Sequence, residues 1–237
     1  MIRVIASSPL EPHVTAVELS ADDLHHLRVR RVEPGEEIVV LDGVGHVGSG
    51  RLERDGNRAW VTLQRVASVA HPAKLMLLVG AGDRDRFATL VEKCVETGVT
   101  DLVPIATERT EGVATRLRET HFPGLERRAL EALKQCGGAW GITLHPVVPL
   151  DEAIGRVVVS GLRWLADAAG IDPAIPDPSR PVAVLIGPEG GLTLAERKRA
   201  LAADFTPVRL GPRTLRFETA ALAAAVLAGH RRKETHG

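Results

Sequence analysis

Two unbroken apolar runs, Lys74–Gly80 (KLMLLVG) and Val182–Ile186 (VAVLI), constrain this chain more than any other feature. Each is the length of a strand and has no polar residue at alternate positions after its start, so it must be buried on both faces. A mainly parallel sheet covered by helices provides that environment. The segments around the runs supply the helices. Arg84–Thr97 is amphipathic and stopped by Gly98, and Asp101–Ile105 follows as a strand, which makes one βαβ unit. A second helix is predicted over Leu125–Cys136, ending at Gly137-Gly138, with short strands at Thr143–Val147 and Leu162–Leu165. Asp167–Pro181, with Gly170 and four prolines, reads as a loop. Thr193 with Glu196 three residues on forms a capping box for a helix reaching Ala203, Val208–Leu210 is a strand, and an alanine-rich helix capped by Thr219 runs to Ala228.

Before His71-Pro72 the rhythm differs. Ile38–Leu41, His46–Leu52 and Arg58–Val66 are extended runs separated by Asp42-Gly43 and Asp55-Gly56-Asn57, and Ser20 with Asp23 offers the cap of a short helix. Short strands of this kind predict a barrel-like domain of about 70 residues. The chain of 237 residues is therefore expected to form two unequal domains, 1–71 and 72–237.

Composition narrows the function classes. An apolar content of 44% and a charged content of 25% suit a globular chain without a membrane span. The opening MIRVIASSPLEPHV lacks the features of a secretory signal, so a cytosolic location is expected. Cys94 and Cys136 lie in predicted helices and read as packing residues, with no metal site expected. Net charge is zero, and residues 1–72 hold eight arginines, no lysine and ten acidic residues, so any nucleic-acid contact must be a local patch. Aromatics make up 3% and tyrosine is absent, which disfavours recognition by base stacking.

Chemistry concentrates in two glycine loops, Leu185-Ile186-Gly187-Pro188-Glu189-Gly190-Gly191 and Leu210-Gly211-Pro212-Arg213-Thr214-Leu215-Arg216-Phe217-Glu218-Thr219-Ala220. Each follows a short apolar strand and precedes a helix. Ligands of open α/β sheets bind beyond the carboxyl ends of the strands, where glycine lets backbone groups approach closely. The order and content of the two loops resemble the final motifs of the SPOUT-class ribosomal uridine-N3 methyltransferases. His25-His26-Leu27-Arg28-Val29-Arg30-Arg31, Pro34-Gly35-Glu36 and Leu41-Asp42-Gly43 are similar to the opening of the same family's PUA-like domain, and Glu92–Val99 to its next helix. The likeness spans nearly the whole chain, although Val148–Pro181 adds little to it.

The resemblance implies an N-terminal PUA-like β-barrel and a C-terminal α/β domain tied in a deep trefoil knot. It also implies a homodimer, the cofactor S-adenosyl-L-methionine (AdoMet), and methylation of N3 of a uridine in 16S ribosomal RNA on the assembled small subunit. Cofactor contacts carried over by position are Leu185, Ile186, Gly187, Glu189, Gly190, Leu210, Gly211, Leu215, Arg216, Thr219 and Ala220. Arg216 and Glu218 are the catalytic candidates, with a structural ion pair as the competing reading. Arg28, Arg30, Arg31 and Arg109 are the RNA-facing candidates, against a solvated charged face. His25 and His26 cannot share one helix face, and one of them is expected to be buried. The chain departs from the family at Gln135-Cys136-Gly137-Gly138, where an arginine is usual in place of Gly138. Two alternatives remain at this stage. One is a dinucleotide enzyme using Gly80-Ala81-Gly82, which lacks the third glycine of that fingerprint. The other is an RNA-binding assembly protein that keeps the fold without catalysis.

Overall fold

The computed structural model describes residues 2–11, 13–110, 112, 114–157 and 161–230, which group into two compact units. The first gathers the chain up to His71 together with Leu130–Gly141. Its elements in chain order are β1 (Ile2–Ile5), β2 (Ala16–Glu18), α1 (Ala21–Val29), β3 (Glu37–Leu41), β4 (His46–Asp55) and β5 (Arg58–Ser68). They form a five-stranded sheet in the order β1-β3-β4-β5-β2. The long β4–β5 hairpin turns at Gly56-Asn57, with Asp55 and Arg58 as its last register pair, because that dipeptide accepts the tight turn. The three predicted runs are all strands. Val4, Leu27, Ile38, Val40, Leu52 and Val61 close one core between the sheet and α1.

As predicted, Ser20 caps α1: its hydroxyl oxygen accepts the Asp23 backbone N–H at 3.1 Å. The residues α1 buries are Asp23 and Leu27, whereas His25 is exposed and His26 half-buried, so the expected buried histidine is not found. The Asp23 carboxylate tolerates burial because Lys134 donates to Oδ1 at 3.0 Å and Ser20 to Oδ2 at 2.8 Å. Lys134 lies in Leu130–Gly141, which groups with this unit although its place in the chain suggested the second domain.

The second unit holds β6 (Leu75–Gly80), α2 (Arg84–Glu96), β7 (Asp101–Ala106), the start of α3 (Phe122–Cys136), β8 (Thr143–Leu144), β9 (Val148–Pro149), α4 (Leu150–Gly155), β10 (Leu162–Ile171), β11 (Val182–Ile186), α5 (Leu194–Ala202), β12 (Thr206–Val208) and α6 (Phe217–Gly229). Every strand pairing in its seven-stranded sheet is parallel, in the order β12-β10-β11-β6-β7-β8 with β9 also on β7. All six residues of β6 and all five of β11 are buried, as their composition required. Met76, Leu78, Ala183 and Leu185 join the core under α4 and α5. The opposite face is covered by α2 and α6, and the small residues Ala220, Ala221, Ala224, Ala225 and Ala228 let α6 lie close against β6 and β11.

β10 differs most from the sequence expectation. The segment expected as a loop from Asp167 is strand as far as Ile171: β11 pairs with β10 only over Leu162–Leu165, and beyond that Ile171 is in register with Val208 of β12. Alanine and glycine there carry little strand preference of their own, so the pairing decides. The last helix starts at Phe217 with Arg216 as its N-cap, which places Thr219 in the first turn and not at the cap. No helix among the described residues is long and apolar enough to cross a membrane.

One buried group in the first unit yields a stability prediction. Asp42 is fully buried at the side chain. Its carboxylate accepts the backbone N–H groups of Leu10 (3.0 Å), Val44 (2.9 Å) and His46 (2.9 Å) and contacts His46 Nδ1 at 2.7 Å. Burial alone would raise its pKa, but the bonds from Leu10, His46 and Val44 outweigh it and hold the group below its ordinary 3.8. A carboxyl depressed in the folded state stabilises fully above its unfolded pKa and loses that contribution as pH falls toward the folded value. Asp42→Ala should lower the unfolding free energy at pH 7 by about 2–4 kcal/mol. In denaturant titrations the gap to the parent chain should narrow once the pH drops below 3.8.

Candidate active site

The carboxyl ends of β10, β11 and β12 open onto a cavity of about 590 Å³. Three segments line it. The β10 end contributes Leu165 to Ala168, the loop after β11 contributes Ile186–Glu189, Gly191 and Leu192, and the loop after β12 contributes Leu210, Gly211, Arg213–Phe217 and then Ala220 of α6. Arg86 and Arg197 complete the wall. The volume lies in the range of small-molecule sites, and the mixture of apolar side chains with glycine backbone suits a ligand with a flat heterocycle and a polar tail.

The loop after β11 is held from several directions. A Cβ on Gly80 would come within 2.4 Å of the Pro188 backbone nitrogen, and one on Gly82 within 2.3 Å of a Glu189 carboxylate oxygen. These glycines therefore exist to let the loop pack onto the end of β6, which removes the dinucleotide reading of Gly80-Ala81-Gly82. Glu189 Oε1 accepts the Asp83 backbone N–H at 3.3 Å and lies 3.9 Å from Arg86 Nη1. Arg109 donates to the Gly190 carbonyl. At the far end of the loop the predicted capping box is present: Thr193 Oγ1 accepts the Glu196 N–H at 3.2 Å, and Glu196 Oε2 accepts the Thr193 N–H at 2.7 Å. Glu196, only 1% exposed, also accepts the Glu108 N–H at 2.9 Å, which ties α5 to the loop after β7.

The β10 end is shaped by its own pairing. Register with β12 breaks between Ala166 and Ile171, and a Cβ on Gly170 would approach the Val208 backbone nitrogen to 2.5 Å. Such an irregularity turns side chains away from the regular alternation. Asp167 emerges there onto the cavity wall, where Arg197 binds its Oδ2 through Nε at 3.1 Å and Nη2 at 2.8 Å. Its carboxyl is held below the usual range, first by the Ala169 backbone N–H and then by Arg197.

Of the residues expected to touch a cofactor, Ile186, Gly187, Glu189, Leu210, Gly211, Leu215, Arg216 and Ala220 line this one cavity. Leu185 is buried within the sheet, Gly190 lies against Arg109, and Thr219 is exposed on α6 away from the lining. Arg216 is on the wall. Glu218 is half-buried in the first turn of α6 outside the lining, with Oε2 enclosed and without a hydrogen-bond partner among the described residues. The alternative that these two form an ion pair finds no such contact. Arg28, Arg30 and Arg31 are exposed at and beyond the end of α1. At the Gln135–Gly138 turn, where Gly138 stands in place of the arginine expected from the resemblance, the Arg3 guanidinium fills the space beside Gly137 and donates to the Gln135 carbonyl at 2.7 Å. The sequence reading missed Leu165 to Ala168, Arg86 and Arg197. The only signal for them was the position of Leu162–Leu165 as a strand, since neither Asp167 nor Arg197 belongs to a motif. No cluster of side chains able to hold a metal occurs among the described residues.

Residues 69–229 match the family model of an RNA methyltransferase domain, and residues 19–64 that of an RNA methyltransferase PUA domain. The ribosomal RNA small subunit methyltransferase E of Synechocystis sp. is 31% identical over 220 residues, covering 86% of this chain and 69% of the relative. The protein of the same name from Aquifex aeolicus is 28% identical over 208 residues, 85% of this chain and 89% of the relative. Among solved structures, ribosomal RNA small subunit methyltransferase E from Neisseria gonorrhoeae bound to S-adenosyl methionine superposes with a TM-score of 0.83 at 28% identity over 95% of each chain. A methyltransferase from Legionella pneumophila in complex with the same cofactor gives 0.80 at 27% identity, over 95% of this chain and 96% of that one.

The packing of the loop after β11 onto β6 is testable. Gly80→Ala meets backbone and not a movable side-chain end, so it should cost about 1–3 kcal/mol in thermal or denaturant unfolding. Gly98→Ala, which meets no neighbouring atom but sits at φ +72°, should cost about 1 kcal/mol through backbone strain alone.

Proposed function

The chain belongs to the ribosomal RNA small subunit methyltransferase E family, and from that premise we propose that it methylates N3 of a uridine in 16S ribosomal RNA, with the assembled small subunit as substrate. It is an RNA methyltransferase dependent on AdoMet. The observation that supports the site assignment is the convergence of both glycine loops and the β10 end on a single cavity. Its residues fit AdoMet. Ile186, Leu192, Leu210, Leu215 and Phe217 offer apolar walls for an adenine, the glycine loops offer backbone groups for its edge, and charged side chains stand at the rim. When bound, the cofactor supplies a methyl group on a sulfonium, ready for displacement by a nucleophile.

The remaining chemistry falls to the protein. Uridine N3 carries a proton, and nitrogen becomes a nucleophile only as that proton leaves, with charge developing on the flanking carbonyl oxygens. Arg216, on the cavity wall and without an acidic partner among the described residues, stabilises that charge. Glu218 is the proton acceptor in this reading. Its enclosed Oε2 has no hydrogen-bond partner among the described residues, and Glu218 sits in the first turn of α6 between the lining residues Phe217 and Ala220. Holding nitrogen and methyl carbon in line accounts for much of the remaining acceleration.

The exposed Arg28, Arg30 and Arg31 take phosphate contacts in the same proposal, and they position the RNA without reading its sequence. Arg109, engaged with Gly190, acts on RNA only through the loop it braces. The reading also includes a homodimer, a knotted crossing of the C-terminal loops and a cytoplasmic location.

Small ribosomal subunits lacking uridine-N3 methylation, incubated with the chain and methyl-labelled AdoMet, should yield N3-methyluridine in nucleoside mass spectrometry. Arg216→Ala should lower kcat by about 10²-fold and Glu218→Gln by about 10²-fold or more. AdoMet binding with no methyl transfer to any RNA would favour an assembly protein on the same fold instead.

A further inference from the structure

The cavity wall holds a carboxylate that the two glycine loops do not account for. β10 lies between β11 and β12 in the sheet, with Leu165 in register with Leu185 on one side and Pro207 on the other. Asp167, next but one along β10, therefore emerges between the loops that follow those two neighbours. The register break after Ala166 frees it from the regular alternation of the strand.

Its geometry is that of a fixed acceptor. Oδ2 takes both hydrogen bonds from Arg197, Oδ1 takes the Ala169 backbone N–H at 2.9 Å, and the side chain is only 20% exposed. A carboxylate oxygen has room for two donors, so Oδ1 keeps one acceptor position. The other acidic group on the wall, Glu189, is held more loosely, by the Asp83 N–H at 3.3 Å and Arg86 at 3.9 Å, both on Oε1. The remaining charges there are the arginines at 213 and 216, which can only donate. Of the two carboxylates on this wall, Asp167 is the one fixed at both oxygens, and it still keeps an acceptor position.

Building on the reading of this cavity as the AdoMet site, we propose that Asp167 is a cofactor-positioning residue whose carboxylate accepts a hydrogen bond from an O–H or N–H donor of bound AdoMet, with Arg197 as the clamp that aims it. AdoMet presents such donors on its nucleoside and on its α-ammonium. The competing explanation is that Asp167 and Arg197 merely brace β10 against α5.

Calorimetric titration of AdoMet into the parent chain, Asp167→Asn, Arg197→Gln and the double variant separates the two, with thermal unfolding as the check on folding. If Asp167 contacts the cofactor, Asp167→Asn raises the Kd at least about ten-fold, Arg197→Gln raises it less, and the Asp167 effect persists in the Arg197→Gln background. If the pair is only a brace, the two single variants weaken binding equally and the double variant is no worse, which overturns the proposal. Equal binding by the parent chain and Asp167→Asn also overturns it while leaving the cavity assignment intact. A parent chain that binds no AdoMet overturns both. A parallel titration with 5′-methylthioadenosine, which keeps the nucleoside and lacks the α-ammonium, locates the donor: a matching loss on Asp167→Asn assigns the nucleoside, and an unchanged affinity assigns the ammonium.

Discussion

Everything at the site follows from parallel pairing of strands that are buried on both faces. β11 and β6 cannot face water on either side, so helices must cover both, and each crossover returns the chain to start the next strand at the same end of the sheet. The carboxyl ends consequently line up on one side. Because β10 sits between β11 and β12, the three segments most distant in role come together there: a bulged strand end and two glycine loops.

The loops are then fixed by close packing and by buried polar contacts. Gly80 admits the Pro188 backbone at a distance that no side chain would allow, and Gly82 leaves room for the Glu189 carboxylate. Glu196, buried at the start of α5, satisfies backbone N–H groups on two different segments, at Thr193 and Glu108. Its burial is tolerable because both carboxylate oxygens are used. Arg109 and Arg197 each hold a cavity segment in place, one through a backbone carbonyl and the other through Asp167. A site that places a nucleophile and a methyl group in line needs walls held this firmly.

The charge distribution explains how a chain with no net charge can serve RNA. The two carboxylates on the cavity wall face arginines, Glu189 beside Arg86 and Asp167 bound by Arg197, while the arginines at 213 and 216 remain on the wall without acidic partners among the described residues. In the first unit, Asp23 is likewise taken up by Lys134, and Arg28, Arg30 and Arg31 stay exposed. Positive charge therefore gathers locally, although the sum over the chain is zero.

Much of this was legible beforehand. Unbroken apolar runs identified β6 and β11, the Ser20 and Thr193 caps located α1 and α5, and the paired glycine loops located one side of the cavity, because burial, capping and turn chemistry are written in local residue types. Tertiary structure alone decided the rest. β10 runs on past Asp167 because β12 pairs with it again at Ile171, not because its alanines favour a strand. Arg216 rather than Thr219 caps α6, and Leu130–Gly141 joins the first unit through Lys134 and Arg3. Asp167 and Arg197 meet across 30 positions of chain, a pairing set by where β10 and α5 lie in the sheet and visible in no spacing of the sequence.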